Sequence, residues 1–561
     1  MSLTQPSEDD AARLATAAPP EARRWPASRR RGGVYRQQRS AASKVSRAAV
    51  IGLILLALAA LVFGLLQFRP ETAAPPSFEG RVAIGPFAVG DRDDTWMRWG
   101  LPALIDEQLR ATASVDVVAS DRLRDVLSRR MPIEPKDVQK LAAGLGARVH
   151  VDATLRRDEG AVVADVIFRD LVGDRSAERS YRGERPLQVA EALAQAIGDA
   201  VGGGVRTPTQ ARVFSGDPFV DRMYAAGVAR LLGEGSSADR WATARPYLEI
   251  AAQESPRFLQ ARARLAEASW QAGDAARARA LVLDLTQAAQ ARASLDLQGR
   301  GFELLARLDA ADGDEISAEQ SLRQADRLYG LRADRAARAR VAETSARLAR
   351  ANGRSDDAEE ALLAAAELYA SVGDRLARLD VLLDLGSARM VDGQLEDATE
   401  VLEEALTVAD GLEDARARGR AAASLAEVAL RRGDTDRAAE LWQRALDLSS
   451  VEEPARRLRL TGRLAPLEEQ RGALAVAETL YGDQLELAAA LGDRRAEAEA
   501  SLALARLALR QGYPSQARKL LDRTLTLDTY LDDRVELQKI IAWMAYERGN
   551  WARASDASAS A

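Results

Sequence analysis

A glycine returns down the C-terminal half of this 561-residue chain at nearly constant spacing: Gly273, Gly313, Gly353, Gly393, Gly433, Gly472, Gly512 and Gly549, at intervals of 40, 40, 40, 40, 39, 40 and 37 residues. Five residues after each comes an alanine (Ala278, Ala318, Ala358, Ala398, Ala438, Ala477, Ala517, Ala554). Seven before each comes a small residue (Ala266, Ala306, Ala346, Gly386, Ala426, Ala465, Ala505, Ala542). Columns of small residues kept in phase over eight copies predict a stack of identical units, in which each unit buries its apolar face only against its neighbours.

Each unit reads as two helices around its glycine. In 425–448 the first helix runs to Arg431 and Arg432. Gly433 then supplies the left-handed backbone that a helix C-terminus prefers, because it has no Cβ to clash. Asp434 or Thr435 can cap the next helix, whose apolar face carries Ala438, Leu441, Trp442, Ala445 and Leu448. Two antiparallel helices joined by so short a turn lie close together, and Ala426 and Ala438 allow that approach. A further alanine column (Ala325, Ala365, Ala405, Ala445) serves packing on the next unit, and leucine fills the position eight before most of the glycines.

These columns resemble the tetratricopeptide repeat, whose small, glycine, alanine and alanine positions match at Gly386, Gly393, Ala398 and Ala405. An earlier copy is marked by Ala244, Ala251 and Pro256, so the resemblance implies an α-solenoid of about nine tetratricopeptide-like helical hairpins over 217–561. The period near 40 exceeds the family's usual 34, which requires longer helices or longer inter-unit loops. The family's large aromatic early in the first helix is mostly missing, with Phe302 the nearest match, and Pro466 should kink or shorten the helix that holds it.

Residues 48–68 form a stretch of 21 without a charge. At about 1.5 Å per residue a helix of that length crosses a hydrocarbon core of roughly 30 Å. From Arg23 to Arg47 there are nine basic residues and no acidic one. The positive-inside bias therefore places the tail 1–47 in the cytoplasm and everything after Arg69 outside it. A cleavable signal peptide is the competing reading, although its apolar segment is normally shorter and its leading segment seldom as long. The tail is rich in Arg, Pro and Ser and has too little apolar periodicity for a packed core, so it reads as disordered. There is no cysteine, hence no disulfide and no thiolate metal site, and 73 of the 78 basic residues are Arg, a bias that suggests a GC-rich bacterial genome.

After a proline- and alanine-rich linker at 69–80, residues 81–205 change character. Strands are predicted at 82–87, 115–118, 149–155 and 161–168, the last two as a hairpin around Asp158–Gly160. Helices are predicted at 96–111, 121–128, 138–145 and 188–201. This is one α/β domain of ordinary size, joined by a linker at 206–216 to the repeats. The run Val82-Ala83-Ile84-Gly85-Pro86-Phe87, the helix opening at Gly100, and Leu145-Gly146-Ala147-Arg148-Val149-His150-Val151 with the following hairpin resemble the TolB-like N-terminal α/β domain. The resemblance implies a bacterial membrane protein with repeats behind that domain. In the wider group a winged-helix or kinase domain often sits on the cytoplasmic side, and the 47-residue tail leaves no room for one.

The chain offers little chemistry. His150 is the single histidine, in a predicted strand between two valines, and reads as structural or exposed; a metal site needs three or four ligands. There is no GxxxxGK[ST] loop, no GxGxxG after a strand and no nucleophile elbow, so neither an enzyme nor a cofactor is expected. The family register turns positions about six, nine, ten and thirteen before each glycine towards the concave face. These are Arg300, Glu303 and Arg307, then Arg340, Glu343 and Arg347, followed by Asp380 and Asp384, Arg420 and Glu427, and Arg459 and Arg463. Arginine holds carboxylates bidentately, so Arg300, Glu303, Arg307, Arg340, Glu343, Arg347, Arg420 and Arg463 are the expected protein-binding residues, for an acidic peptide or acidic protein surface; an ordinary solvated helix face gives the same pattern. The whole reads as a single-pass inner-membrane protein, its C-terminal domains periplasmic, that binds partner proteins as scaffold or assembly factor. The alternative is a signalling component that couples a periplasmic partner to a cytoplasmic one. Nucleic-acid binding is not expected, because the chain is acidic overall, at −6.

Overall fold

The computed structural model describes residues 78–547, apart from 91–93, 113–114, 129–134, 174, 202–214, 234–236, 452 and 528–533. All described residues belong to one compact unit, Ala74–Ala561. The expected tail, apolar span and first linker lie outside the described residues, as do most of the second linker and the last copy's Gly549 and Ala554. Among the described residues no helix is long and apolar enough to cross a membrane.

The sheet domain holds strands β1 (Val82–Ile84), β2 (Ala88–Val89), β3 (Val149–Asp158), β4 (Ala161–Asp170) and β5 (Ser176–Gly183). Their order is β1-β3-β4-β5, with β2 continuing beside β3 beyond β1. β1 and β2 run parallel to β3, and the two following pairs are antiparallel. The β3–β4 hairpin turns through Glu159 and Gly160, both at positive φ (50° and 86°), the backbone that matches strand twist. Four helices complete the domain: α1 (Met97–Thr112), α2 (Ser120–Ser128), α3 (Pro135–Gly144) and α4 (Pro186–Ala200). The sheet centre is covered on both faces, as a parallel pair requires. Val149, Val151, Ala153 and Leu155 enter one apolar core with residues of α1 and α4; Ala83, from the other face, enters a second with residues of α2 and α3. The 115–118 segment, expected as a strand, contributes one isolated parallel bridge, Val117 to Val82. β5 was not foreseen. Its SAERSYRG carries charge on both faces and alternates between exposed and half-buried, the composition of an edge strand.

The repeats follow as antiparallel helix pairs: α5 (Pro218–Leu231) with α6 (Ser237–Glu254), α7 (Leu259–Gln271) with α8 (Ala275–Ala291), α9 (Leu295–Ala311) with α10 (Glu315–Leu331), and α11 (Arg335–Ala351) with α12 (Ser355–Ser371). Then come α13 (Arg375–Val391) with α14 (Leu395–Gly411), α15 (Ala415–Arg431) with α16 (Thr435–Asp447), α17 (Pro454–Gln470) with α18 (Leu474–Leu491), α19 (Arg494–Arg510) with α20 (Pro514–Leu525), and the lone helix α21 (Arg534–Glu547). The seven described column glycines that close the first helices all have φ between 72° and 84°. Every described member of the two alanine columns and of the small column seven before the glycine is buried. A Cβ on Gly386 would stand 2.5 Å from the Leu402 side chain of the facing helix, which shows why that column stays small.

The 40-residue period is explained by length of helix. α9 to α12 are each 17 residues, and every turn between them is three residues, within units and between them alike. Inter-unit turns use the same left-handed residue, but as Ala293, Ala333 and Glu413 as well as Gly373 and Gly492. Aspartate caps both kinds of turn: Asp434 accepts from the Arg437 N–H, and Asp334 from the Ala337 N–H. Pro466 does not shorten its helix. α17 runs 17 residues through it, held by the buried Leu464, Ala465 and Leu467 around the proline. Among the described residues two pairs of successive first helices touch each other (α7 with α9, α13 with α15), whereas no pair of successive second helices makes comparable contact. That asymmetry puts the first helices on the inside of the curve.

Candidate functional site

The inner face of the early repeats is not open. The sheet domain packs against it, and its apolar core continues into the first hairpins: Val220, Tyr224, Ala225 and Val228 of α5 share a cluster with Leu101, Leu104 and Ile105 of α1. Gly100 of α1 lies so close that a Cβ there would stand 2.7 Å from the Ala225 carbonyl oxygen. Further along, two left-handed glycines meet. A Cβ on Gly146 would stand 2.3 Å from the Val372 carbonyl oxygen, in the turn that Gly373 completes.

Between these apolar contacts lies a buried polar seam. On α1, Asp106 and Arg110 stand one turn apart and bond at 2.5 Å. Asp106 also accepts from the Ser120 backbone N–H (3.0 Å), which fixes the start of α2. Glu107 accepts the Tyr224 hydroxyl (2.5 and 2.6 Å to its two oxygens) and lies 3.5 Å from Arg264 Nε. Arg264, on α7, is 6% exposed and donates to Asp121 of α2 at 2.6 Å. Arg332, in the turn after α10, reaches the Arg110 carbonyl oxygen at 2.8 Å and Asp296 at 3.1 Å. Arg124 donates to the Leu232 and Gly233 carbonyl oxygens.

Deeper in the repeats one arrangement recurs at the 40-residue period. Tyr329 of α10 donates to Glu303 of α9 (3.2 Å), and Tyr369 of α12 donates to Glu343 of α11 (3.1 Å). Each glutamate has an arginine one turn on: Arg307 at 2.8 Å from Glu303 and Arg347 at 3.8 Å from Glu343. Arg340 stands 3.6 Å from Glu303. Burial works to raise the Glu303 carboxyl, but Arg340, Arg307 and the Tyr329 hydroxyl outweigh it and hold it below the ordinary value. At Glu107 burial wins over Arg264, Arg300 and Tyr224, and the carboxyl is pushed up. Burial also raises the Tyr224 and Tyr329 hydroxyls well above 10, so both remain donors.

Seam and repeats together enclose a cavity of about 750 Å³. Six of the expected binding residues, Arg300, Glu303, Arg307, Arg340, Glu343 and Arg347, line it together. Their rows therefore face a wall made by α1 and α2 rather than an open groove. Glu303 is buried and serves as anchor to the arginines around it. Arg420 and Arg463 lie elsewhere. Arg420 pairs with Asp380 at 2.5 Å. Arg463, with Arg459 one turn before it, is exposed on α17, and neither has a hydrogen-bond or ion-pair partner among the described residues.

Sequence reasoning missed Glu107, Asp121, Tyr224 and Arg264. Applied to Gly273, the register nine and six before the glycine points to Arg264 and Glu267, both on the cavity wall. Nothing local marks the α1 and α2 carboxylates. His150 is fully buried, its Nδ1 3.2 Å from Asp152. Among the described residues no group of three or more His, Asp or Glu could hold a metal ion.

No family model and no curated protein matches the sequence. Several solved structures are similar in fold. One is a signal-transduction ATPase with numerous domains that carries a tetratricopeptide repeat sensor, from Pyrococcus horikoshii (15% identity, TM-score 0.43, over 72% of this chain and 63% of that one). Another is aspartyl phosphate phosphatase F from Bacillus subtilis (14%, 0.36, 58% and 93%). A third is a tetratricopeptide repeat protein from Parabacteroides merdae (16%, 0.31, 46% and 90%).

Proposed function

We propose that this chain is a non-catalytic, protein-binding scaffold of a bacterial inner membrane, anchored by one helix at 48–68, with its sheet domain and repeats in the periplasm. The location rests on the charge asymmetry around the apolar stretch. The observation that carries the binding role is the division of the inner face. The sheet domain occupies the early first helices, while α15 and α17 present Arg420, Arg459 and Arg463 as exposed residues. Arg459 and Arg463 lie one helical turn apart, a spacing that suits an acidic segment of a partner.

Photocrosslinking in intact cells tests this reading. A photoreactive residue at position 459 or 463 is expected to trap a discrete protein, and one at exposed Arg444 on α16 is expected to trap none. Equal labelling from both faces would remove the binding role. A phosphatase reporter fused after Ala561 is expected to be active and a cytoplasm-dependent fluorescent reporter dark; the reverse pair would overturn the location alone.

A further inference from the structure

β5 ends the sheet on one side. Among the described residues it pairs with β4 alone, and no other backbone hydrogen bond reaches it. Residues of an antiparallel ladder alternate, so about half of its N–H and C=O groups point away from β4. No residue of Ser176–Gly183 is buried. Ser176, Glu178, Ser180 and Arg182 are exposed on one face of the strand. Ala177, Arg179, Tyr181 and Gly183 are half-buried on the other, where Ala177 and Tyr181 pack on the core that α4 shares.

Charges on an edge strand deter most strands that could add to it, but a second copy of the same strand meets them in a fixed order. Across a two-fold axis the two strands run antiparallel, and directly opposite residues share a face, so the axis passes through a residue. Centred on Glu178, Arg179 or Arg182, it sets a charge against itself; centred on Tyr181, it sets Glu178 opposite Glu184. Centred on Ser180, it sets Glu178 opposite Arg182 and Arg179 opposite Tyr181, each pair twice. Glu178 makes no hydrogen bond or ion pair among the described residues. Arg182 bonds Asp158 at 2.6 Å and lies 3.6 Å from Glu159, and its five-donor fork still has N–H groups for Glu178 of a second copy. Ser180 turns its hydroxyl back to Asp165 of β4 at 2.5 Å, so a small and satisfied side chain stands where the copies come closest. The like pair Arg175 and Arg185 falls beyond the ladder: Arg175 turns to Asp170 and Phe78, and at Arg185 the chain leaves the sheet for α4.

We propose that β5 pairs antiparallel with β5 of a second copy about a two-fold axis at Ser180, joining two five-stranded sheets into one continuous sheet. The charges of the edge then select its own copy over other strands. This interface is separate from the partner-binding residues on α15 and α17 and from the membrane location, so either reading can fail without the other.

The chain has no cysteine, so an introduced one can crosslink only to its own copy. In this register the two Ser180 Cα atoms stand about 4.5–5.5 Å apart, within disulfide range, whereas the two Ser176 Cα atoms are about 27 Å apart. Mild oxidation of full-length S180C in detergent is expected to give a covalent dimer on a non-reducing gel, and S176C none. Analytical ultracentrifugation of the wild type at micromolar concentration is expected to give the mass of two chains. E178R sets arginine opposite Arg182 of the second copy. It should fold, because Glu178 is exposed and unpartnered among the described residues, and should raise the dimer dissociation constant by about tenfold or more with helical content unchanged. A monomeric wild type would overturn the proposal. So would S176C that crosslinks as readily as S180C, the mark of parallel strands or of random collision, and so would a dimer whose affinity E178R leaves unchanged.

Discussion

Arg264 joins the two halves of the described structure, and Arg264→Ala has a calculable cost. The side chain is 6% exposed and bonds Asp121 at 2.6 Å, with Glu107 at 3.5 Å. Loss of the charge-assisted bond costs about 1.5–3 kcal/mol. Glu107 then stands buried with the Tyr224 hydroxyl as its hydrogen-bond donor and Arg300 as its remaining favourable charge, which brings the total to about 3–5 kcal/mol. Glu107 can escape by taking a proton. Its folded-state carboxyl is already raised above 4.5 by burial, and the loss of Arg264 raises it further. The cost from Glu107 is thus full above that raised value and falls away as pH drops to 4.5, where the unfolded chain takes the same proton. Repeat arrays do not unfold as one unit, so the readout is hydrogen exchange, residue by residue. Protection in α1, α2 and α5 should drop by about two to four orders of magnitude at neutral pH, and α17–α19 should be unaffected. Arg323→Ala, which breaks an exposed pair with Glu319 on α10, should cost at most about 0.5 kcal/mol. Arg264→Met combined with Glu107→Gln should recover about 1–3 kcal/mol relative to the sum of the single changes. Unchanged protection in α1 and α2, or strict additivity, would refute the seam as the link between sheet domain and repeats.

Ala438 is completely buried between α15 and α16, so Ala438→Glu should destabilise those units by several kcal/mol, while exposed Arg444→Glu stays within about 0.5 kcal/mol in thermal unfolding. A fragment that starts at residue 217 bares Val220, Tyr224 and Val228, each at most 1% exposed in the whole; at about 1.5–3 kcal/mol per side chain its first hairpin should be unfolded by hydrogen exchange, and one that starts at 78 should keep it. Glu303 is held below 4.5, so its contribution is present above that value and lost as pH falls through the lower folded one; Glu303→Gln should narrow the stability gap to wild type in acid, and a gap that widens there would contradict the sign.

The repeats were legible because their rules are local. A left-handed turn needs glycine where nothing else relieves it, facing helices need small residues at one height, and each unit touches only its neighbours, so Gly433, Ala426 and Ala438 carry their meaning within a few turns of chain. The inter-unit turns were less visible because Ala293, Ala333 and Glu413 take the same φ without the marker residue. The register also brought Arg300, Glu303, Arg307, Arg340, Glu343 and Arg347 to one face, since a fixed period lines up equivalent side chains. What faces them was decided by the tertiary structure alone. Glu107 meets Tyr224 across 117 residues of sequence, Asp121 meets Arg264 across 143 and Arg110 meets Arg332 across 222. No periodicity spans such separations. Whether a row of arginines is a solvated groove or the wall of a cavity depends on what the rest of the chain packs against it, and that is settled by the fit of α1 and α2 onto the first helices.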